Sequence, residues 1–209
     1  MLYLVADPIA ALRLEALNPS ARSLDSMYEA GKDRHRTYEE MADAFLAPAR
    51  SGLRSCAVLY GHPGVFGLPA HAALAQARAE GISARMLPAV SALDCLFADL
   101  GVDPGDSGML CYEATYFLER TPPVDLDATL VLLQVGMIGE RGGDPTPDAA
   151  GRFRELVDRL ETLYGADTDA VLYTASPYPG AMPGIVRFPL GEPDPPGPDL
   201  AATLCIAGR

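Results

Sequence analysis

Apolar residues in this chain come in short unbroken runs, set between stretches of helical periodicity. The run Leu2 to Ala6, closed by Asp7-Pro8, reads as a buried strand. Across residues 37–50, Met41, Ala42, Phe45 and Leu46 fall on one helical face. CAVLY at 56–60 predicts a second strand and runs into the turn sequence GHPGVFGLP. The following helix has Pro69 near its first turn and Gly81 just past its end. ARML at 84–87 predicts a third strand. Pro88 and Ser91 then open a helix striped by Leu93, Leu96, Phe97 and Leu100, with Ser91 and Asp94 at capping-box spacing. Strands alternating with helices in this way predict a parallel sheet covered by helices.

The dense turn segment GVDPGDSG at 101–108 marks a boundary. Beyond it, MLCY (109–112) and TLVLLQVG (129–136) predict strands, the second buried on both faces. Phe153, Leu156, Val157, Leu160 and Leu163 stripe a helix over 147–164 that Gly165 ends. AVLYTA (170–175), IVRFPL (185–190) and TLCIA (203–207) predict three more strands, the last two joined by the Pro-rich loop GEPDPPGPD. The fold class is therefore α/β, in an N-terminal subdomain of residues 1–104 and a C-terminal one of 105–209.

Composition narrows the partners. With 49% apolar residues the chain can build a core. Its 16 basic and 28 acidic residues leave a net charge of −12, which repels nucleic acid and an anionic membrane surface alike. Cys56, Cys95, Cys111 and Cys205 form no C-x-x-C pair and have no His at metal-ligand spacing, so they read as reduced core thiols and no metal is expected. MLYLVADPIAAL lacks the basic n-region of a signal peptide, and no segment is long enough to span a bilayer. These features predict a cytoplasmic protein.

Three segments carry candidate chemistry. YGHPGVFGLP at 60–69 lies between a strand and a helix, where open α/β sheets bind ligands, and its glycines permit close backbone approach. It matches neither G-x-G-x-x-G nor a P-loop, so phosphates are not its evident cargo; a plain turn is the alternative. LPAVSALD at 87–94 could hold a polar ligand at a helix N-terminus or simply cap the helix through Ser91. MYEAGKDRHRTY at 27–38 gathers Tyr28, Lys32, Arg34, Arg36 and Tyr38 before a helix. Phenols beside guanidinium groups can accept protons, because a nearby cation favours the phenolate; an exposed charged turn is the alternative. His71 sits on a helix and reads as structural. No serine triad, H-E-x-x-H or acidic magnesium cluster is present in the sequence.

Taken in order, RSLDSMYEAGKDRHRTYEEM, the long run from VLYGHPGVF to GVDP, YEATYFLER and VLLQVGMIG resemble the tetrapyrrole-methylase-like (class III) S-adenosylmethionine methyltransferases. Within that superfamily they most resemble the borosin peptide backbone α-N-methyltransferases, over roughly residues 1–165. The YGHPGVF turn, where a tetrapyrrole methylase has a shorter Gly-Asp/Asn-Pro turn, favours the peptide-modifying branch. The resemblance implies two α/β subdomains with the cofactor cleft between them, and a homodimer. It implies S-adenosylmethionine as cofactor, surrounded by Gly61, His62, Pro63, Val65 and Phe66, by Ser91 and Ala92, and by Gln134 and Val135. It assigns Tyr28, Arg34, Tyr38 and Tyr60 to catalysis: Tyr38 as base, Arg34 favouring its phenolate and holding charge on the peptide carbonyl oxygen, Tyr28 hydrogen-bonding the same oxygen or orienting the peptide.

The sequence departs from that pattern at Ala89, Leu93 and Tyr116, which stand where the family has Gly, an acidic and a polar or acidic residue. It also begins about one strand and one helix later than the family's V-G-x-G opening, and ends without a fused core peptide. The expectation that follows is action in trans on a separate precursor peptide, as in the split bacterial type. Two other expectations compete: a tetrapyrrole or other small-molecule methyltransferase, and a truncated non-catalytic homologue that binds a partner.

Overall fold

The computed structural model describes residues 1–4, 7–29, 31–140, 148–178 and 180–209. Val5 and Ala6 of the first predicted strand, and residue 147 of the predicted helix 147–164, lie outside them. The described residues form two compact units, one of residues 1–91 and one beginning at Ala92. The boundary that turn chemistry predicts after residue 104 lies one helix further on.

The first unit is built on a parallel sheet. Strand β1 (Leu2–Leu4) pairs with β2 (Arg22–Ser23) on one side and β3 (Ala57–Leu59) on the other, giving the order β2-β1-β3. Between β1 and β2 runs α1 (Pro8–Leu17), which the apolar pattern does not predict. Its signals are local: Asp7 accepts the Ala10 N–H at 2.9 Å, and Pro8 occupies the first turn. Tyr3 Oη donates to Glu15 Oε1, tying α1 to β1.

Helix α2 (Arg34–Arg50) and helix α3 (Leu68–Ala79) supply the core. The predicted stripe Met41, Ala42, Phe45 and Leu46 is buried, and it packs with Leu4, Leu24, Ala73 and Ala77. Pro69 falls in the first turn of α3 as expected. The third predicted strand is a correction: residues 84–87 are irregular, and Leu87 is 61% exposed. The outer edge of β3, which is paired with β1 alone, has no strand of the described residues beside it.

The second unit opens with α4 (Ala92–Leu100) and the short α5 (Pro104–Ser107). A five-stranded mixed sheet follows, made of β4 (Met109–Glu113), β5 (Thr129–Leu133), β6 (Asp169–Thr174), β7 (Gly184–Pro189) and β8 (Thr203–Ile206). Its order is β4-β5-β8-β6-β7, with β4 and β5 parallel and the remaining pairs antiparallel. α6 (Ala114–Arg120) and α7 (Ala149–Tyr164) pack on one face, α4 on the other. Tyr173, buried on β6, donates to Asp99 Oδ2 at 2.6 Å and so ties α4 to the sheet.

The α7 stripe is the main contribution to this core. Phe153, Leu156, Val157 and Leu160 are buried, and Gly165 ends the helix at φ +96°. Leu156→Ala is expected to cost about 2–5 kcal/mol, because the enclosed site can collapse only partly around the lost atoms. Urea unfolding followed by circular dichroism measures it, and a loss below about 1 kcal/mol contradicts the packing described. Of the cysteines, Cys205 is buried, but Cys56 is exposed and is not the core thiol its apolar run predicts. No helix of the described residues is long and apolar enough to cross a membrane.

Candidate active site

Parallel strands deliver their carboxyl ends to one edge of a sheet, and the first unit uses that edge. β2 leads through buried Leu24 into a helical turn at Asp25–Met27 and then to Tyr28. β3 leads to Tyr60, whose N–H still donates to the Leu4 carbonyl at 3.0 Å, and then to the glycine turn. α2 contributes Arg34 at its first position and Tyr38 one turn later, on the same helical face. Asp33 fixes that helix start by accepting the Arg36 N–H at 3.1 Å.

The four predicted catalytic residues come together around the Tyr28 phenol. Burial, first, and the neighbouring phenols of Tyr38 and Tyr60 push its pKa well above the ordinary tyrosine value, against the opposing pull of Arg34. A hydrogen bond with Tyr38 acts in the same direction. Tyr28 therefore stays neutral, which leaves Tyr38 as the neighbouring phenol that a base role would fall to. The Tyr38 ring packs against the α2–α3 core, and Arg34 Nε is enclosed by protein.

The glycine turn is held from within. His62 Nδ1 accepts the Gly64 N–H at 2.9 Å, and His71 Nε2 lies 2.9 Å from the Gly64 carbonyl, so two imidazoles hold the peptide units on either side of the Gly64 Cα. The structural reading of His71 thus has a partner in the turn. Val65 N–H closes back on the His62 carbonyl at 3.0 Å. A Cβ on Gly67 would lie 1.8 Å from the Pro63 carbonyl oxygen, so only glycine fits there. A Cβ on Gly61 would stand 3.7 Å from the Val90 carbonyl oxygen, and one on Gly64 3.0 Å from Met86 Sδ, which places the irregular segment before Ser91 against this turn.

In the second unit, parallel β4 and β5 end side by side, with Glu113 opposite Leu133. Gln134 and Val135 follow directly. Val135 is buried and donates its N–H to the Ala202 carbonyl at 3.1 Å. Gln134 has φ +61° and Phe66, in the glycine turn, φ +56°. Apart from Thr121, these are the non-glycine residues with left-handed backbone among those described. Such strain persists where surrounding structure demands it, and it concentrates at ligand sites. Ser91 is buried and Ala92 exposed at the start of α4.

Lys32 was singled out in sequence only as one basic residue of a charged stretch. It is the part of this site that sequence reasoning missed. Its Nζ donates to the Met27 carbonyl at 3.2 Å and pairs with Glu40 Oε2 at 2.5 Å. The spacing Lys32 to Glu40 fits no helical repeat, since Lys32 precedes the helix, so only the folded loop reveals the pair.

Comparison with known proteins adds the following. Residues 4–176 match the family model of Tetrapyrrole (Corrin/Porphyrin) Methylases. The methyltransferase/ribosomally synthesized cyclic peptide dendrothelin A precursor of Dendrothele bispora is 45% identical over 91% of this chain and 46% of its own length. The corresponding omphalotin A precursor of Omphalotus olearius is 43% identical over the same shares. The chain thus spans about half the length of these relatives. Among solved structures, uroporphyrin-III-C-methyltransferase from Thermus thermophilus superposes with a TM-score of 0.60 at 22% identity, over 99% of this chain and 79% of that one. Diphthine synthase gives 0.60 at 14% identity, over 99% and 78%. These last two likenesses concern the fold.

Proposed function

This chain belongs to the tetrapyrrole (corrin/porphyrin) methylase family, and from that premise we propose that it is an S-adenosylmethionine-dependent methyltransferase acting on backbone amide nitrogens of a precursor peptide. The observation that carries this reading is the set Tyr28, Arg34, Tyr38 and Tyr60 converging beside the glycine turn. The names of the Dendrothele and Omphalotus relatives join a methyltransferase to a peptide precursor, which supports the same substrate class.

The residues of the turn fit the cofactor chemically. Residues 60–69 contain no Lys or Arg, unlike a phosphate cradle, and offer carbonyl and phenol oxygens to a cation. In this proposal Gly61, His62, Pro63, Val65, Phe66, Ser91, Ala92, Gln134 and Val135 hold it. Bound there, S-adenosylmethionine supplies an electrophilic methyl group whose bonding pair remains on sulfur when it leaves.

The protein's own part is to make an amide nitrogen nucleophilic. That lone pair is delocalised into the carbonyl, so the N–H proton must be removed or the imidate stabilised. Tyr38 as phenolate would take the proton, leaving on the amide nitrogen the electron pair that would accept the methyl group. Arg34 holds the charge that develops on the peptide carbonyl oxygen. Tyr28, neutral throughout, keeps the Tyr38 oxygen in place and orients the peptide. Tyr60 completes the wall of phenols.

As part of the same proposal the chain works as a cytoplasmic homodimer on a precursor peptide. The test is incubation of the purified chain with S-adenosylmethionine and apolar, Val/Ile-rich peptides, followed by tandem mass spectrometry. Methyl increments located on backbone nitrogens are the expected result. Methylation confined to small-molecule tetrapyrroles, or cofactor uptake with no product from any peptide, overturns the peptide reading.

A further inference from the structure

The catalytic phenols sit on two separate pieces of backbone. Tyr38 is fixed by α2, but Tyr28 belongs to the loop that follows the Asp25–Met27 turn, and loops hold their residues only as firmly as their anchors do. The hydrogen bond between the two phenols therefore needs something that joins loop to helix. Lys32 is placed for that task. Its side chain is only 14% exposed, and its Nζ reaches the carbonyl of Met27, the residue before Tyr28, and Glu40, two residues past Tyr38. Glu40 also accepts from Arg36 Nε at 3.2 Å, but Arg36 is 75% exposed and lies on the helix itself, so that bond joins nothing to the loop.

We propose that Lys32 is a positioning residue of the methyl-transfer reaction, an ammonium brace that clamps the backbone before Tyr28 to Glu40 of α2 and so sets the hydrogen bond between Tyr28 and Tyr38. The Glu40 carboxyl is held below the usual carboxylate range, first by its hydrogen bond to Lys32, so it stays charged across the working pH range. An ammonium suits the position because it has three donors and can serve a carbonyl and a carboxylate at once. A neutral side chain of similar length would fill the space without joining the two. The effect on rate rests on the function proposed above. The effect on Tyr28 does not.

The experiment uses the full chain labelled with [13C-ζ]tyrosine, titrated by NMR, with the Tyr28 signal assigned by its loss in Tyr28→Phe. In Lys32→Met, Tyr28 is expected to ionise at lower pH than in the unaltered chain, because it loses its hydrogen bond with Tyr38. Its kcat is expected to fall about 10²-fold, the cost of a roughly 1 Å misplacement of a catalytic group, with KM for S-adenosylmethionine unchanged. Glu40→Gln keeps the volume of the partner and should move both readouts the same way, which decides the matter if Lys32→Met does not fold. Lys32→Arg keeps a cation and should restore most of the rate, while Arg36→Gln should leave both readouts alone. The brace is overturned if folded Lys32→Met or Glu40→Gln leaves the Tyr28 titration in place, whether or not the rate drops. A Tyr28 titration that moves in a chain that methylates no peptide upholds the brace and overturns only the proposed function.

Discussion

Tyr38→Phe is expected to remove peptide methylation almost completely while leaving cofactor binding and the fold intact. Loss of a general base costs about 10²–10⁴-fold in rate, and an amide nitrogen with its proton in place has little nucleophilicity to fall back on. The substitution deletes one oxygen and leaves the ring that packs against α2 and α3, so stability should change little. Tyr28→Phe should cost less, because its surroundings hold the Tyr28 phenol neutral. Arg34→Gln should lower kcat at every pH by removing the charge that faces the developing oxyanion. Isothermal calorimetry with S-adenosylhomocysteine separates binding from turnover. A Tyr38→Phe chain that methylates at the unaltered rate ends the base assignment, and a ranking in which Tyr28→Phe is the worse variant exchanges the two roles.

Gly67→Ala is the second change with a large expected effect. The added carbon would lie 1.8 Å from the Pro63 carbonyl oxygen and 2.8 Å from the Pro63 carbonyl carbon. Both are backbone atoms, so no side-chain rotation relieves the contact, and the turn from His62 to Gly67 must open. Gly67 also accepts the Ala70 and His71 N–H groups at 3.0 and 3.2 Å, so the start of α3 moves with it. His71 then loses its hold on the Gly64 carbonyl. Overpacking of this kind costs about 1–3 kcal/mol in stability. The proposed cofactor turn loses its shape as well, and affinity for S-adenosylmethionine should drop by about 10²-fold or more, as for any site whose backbone contacts are displaced. Gly197→Ala is the control, since nothing lies within 4 Å of its added carbon. Equal cofactor affinity in the two variants would remove the turn from the binding site.

The pattern of apolar residues made the two long helices readable, because each buries a stripe against its own unit's sheet and the stripe is written at fixed spacing. Met41, Ala42, Phe45 and Leu46 on α2 are one instance, and Phe153 to Leu160 on α7 another. Helix α1 was hidden for the opposite reason. None of its residues is buried, so it has no stripe, and its signals were Asp7 and Pro8 alone. The stretch 84–87 misled because an apolar run is only half of a strand; the other half is pairing with a partner strand, which local sequence does not encode.

The residues of the site followed the same division. Tyr28, Arg34, Tyr38 and Tyr60 could be proposed from a family resemblance carried by the order of motifs along the chain, whereas residue type alone left the charged stretch readable as an exposed turn. That Tyr28 is held neutral could not, because that depends on its burial and on the phenols of Tyr38 and Tyr60 brought beside it. Nor could the left-handed backbone of Phe66 and Gln134, or the reach of Lys32 from loop to helix. By itself, then, the sequence determined the α/β class and the helix faces, both of which are set by local spacing. Only the tertiary structure decided strand pairing, backbone strain and the gathering of the phenols around Tyr28, because each of these is a relation between segments distant in the chain.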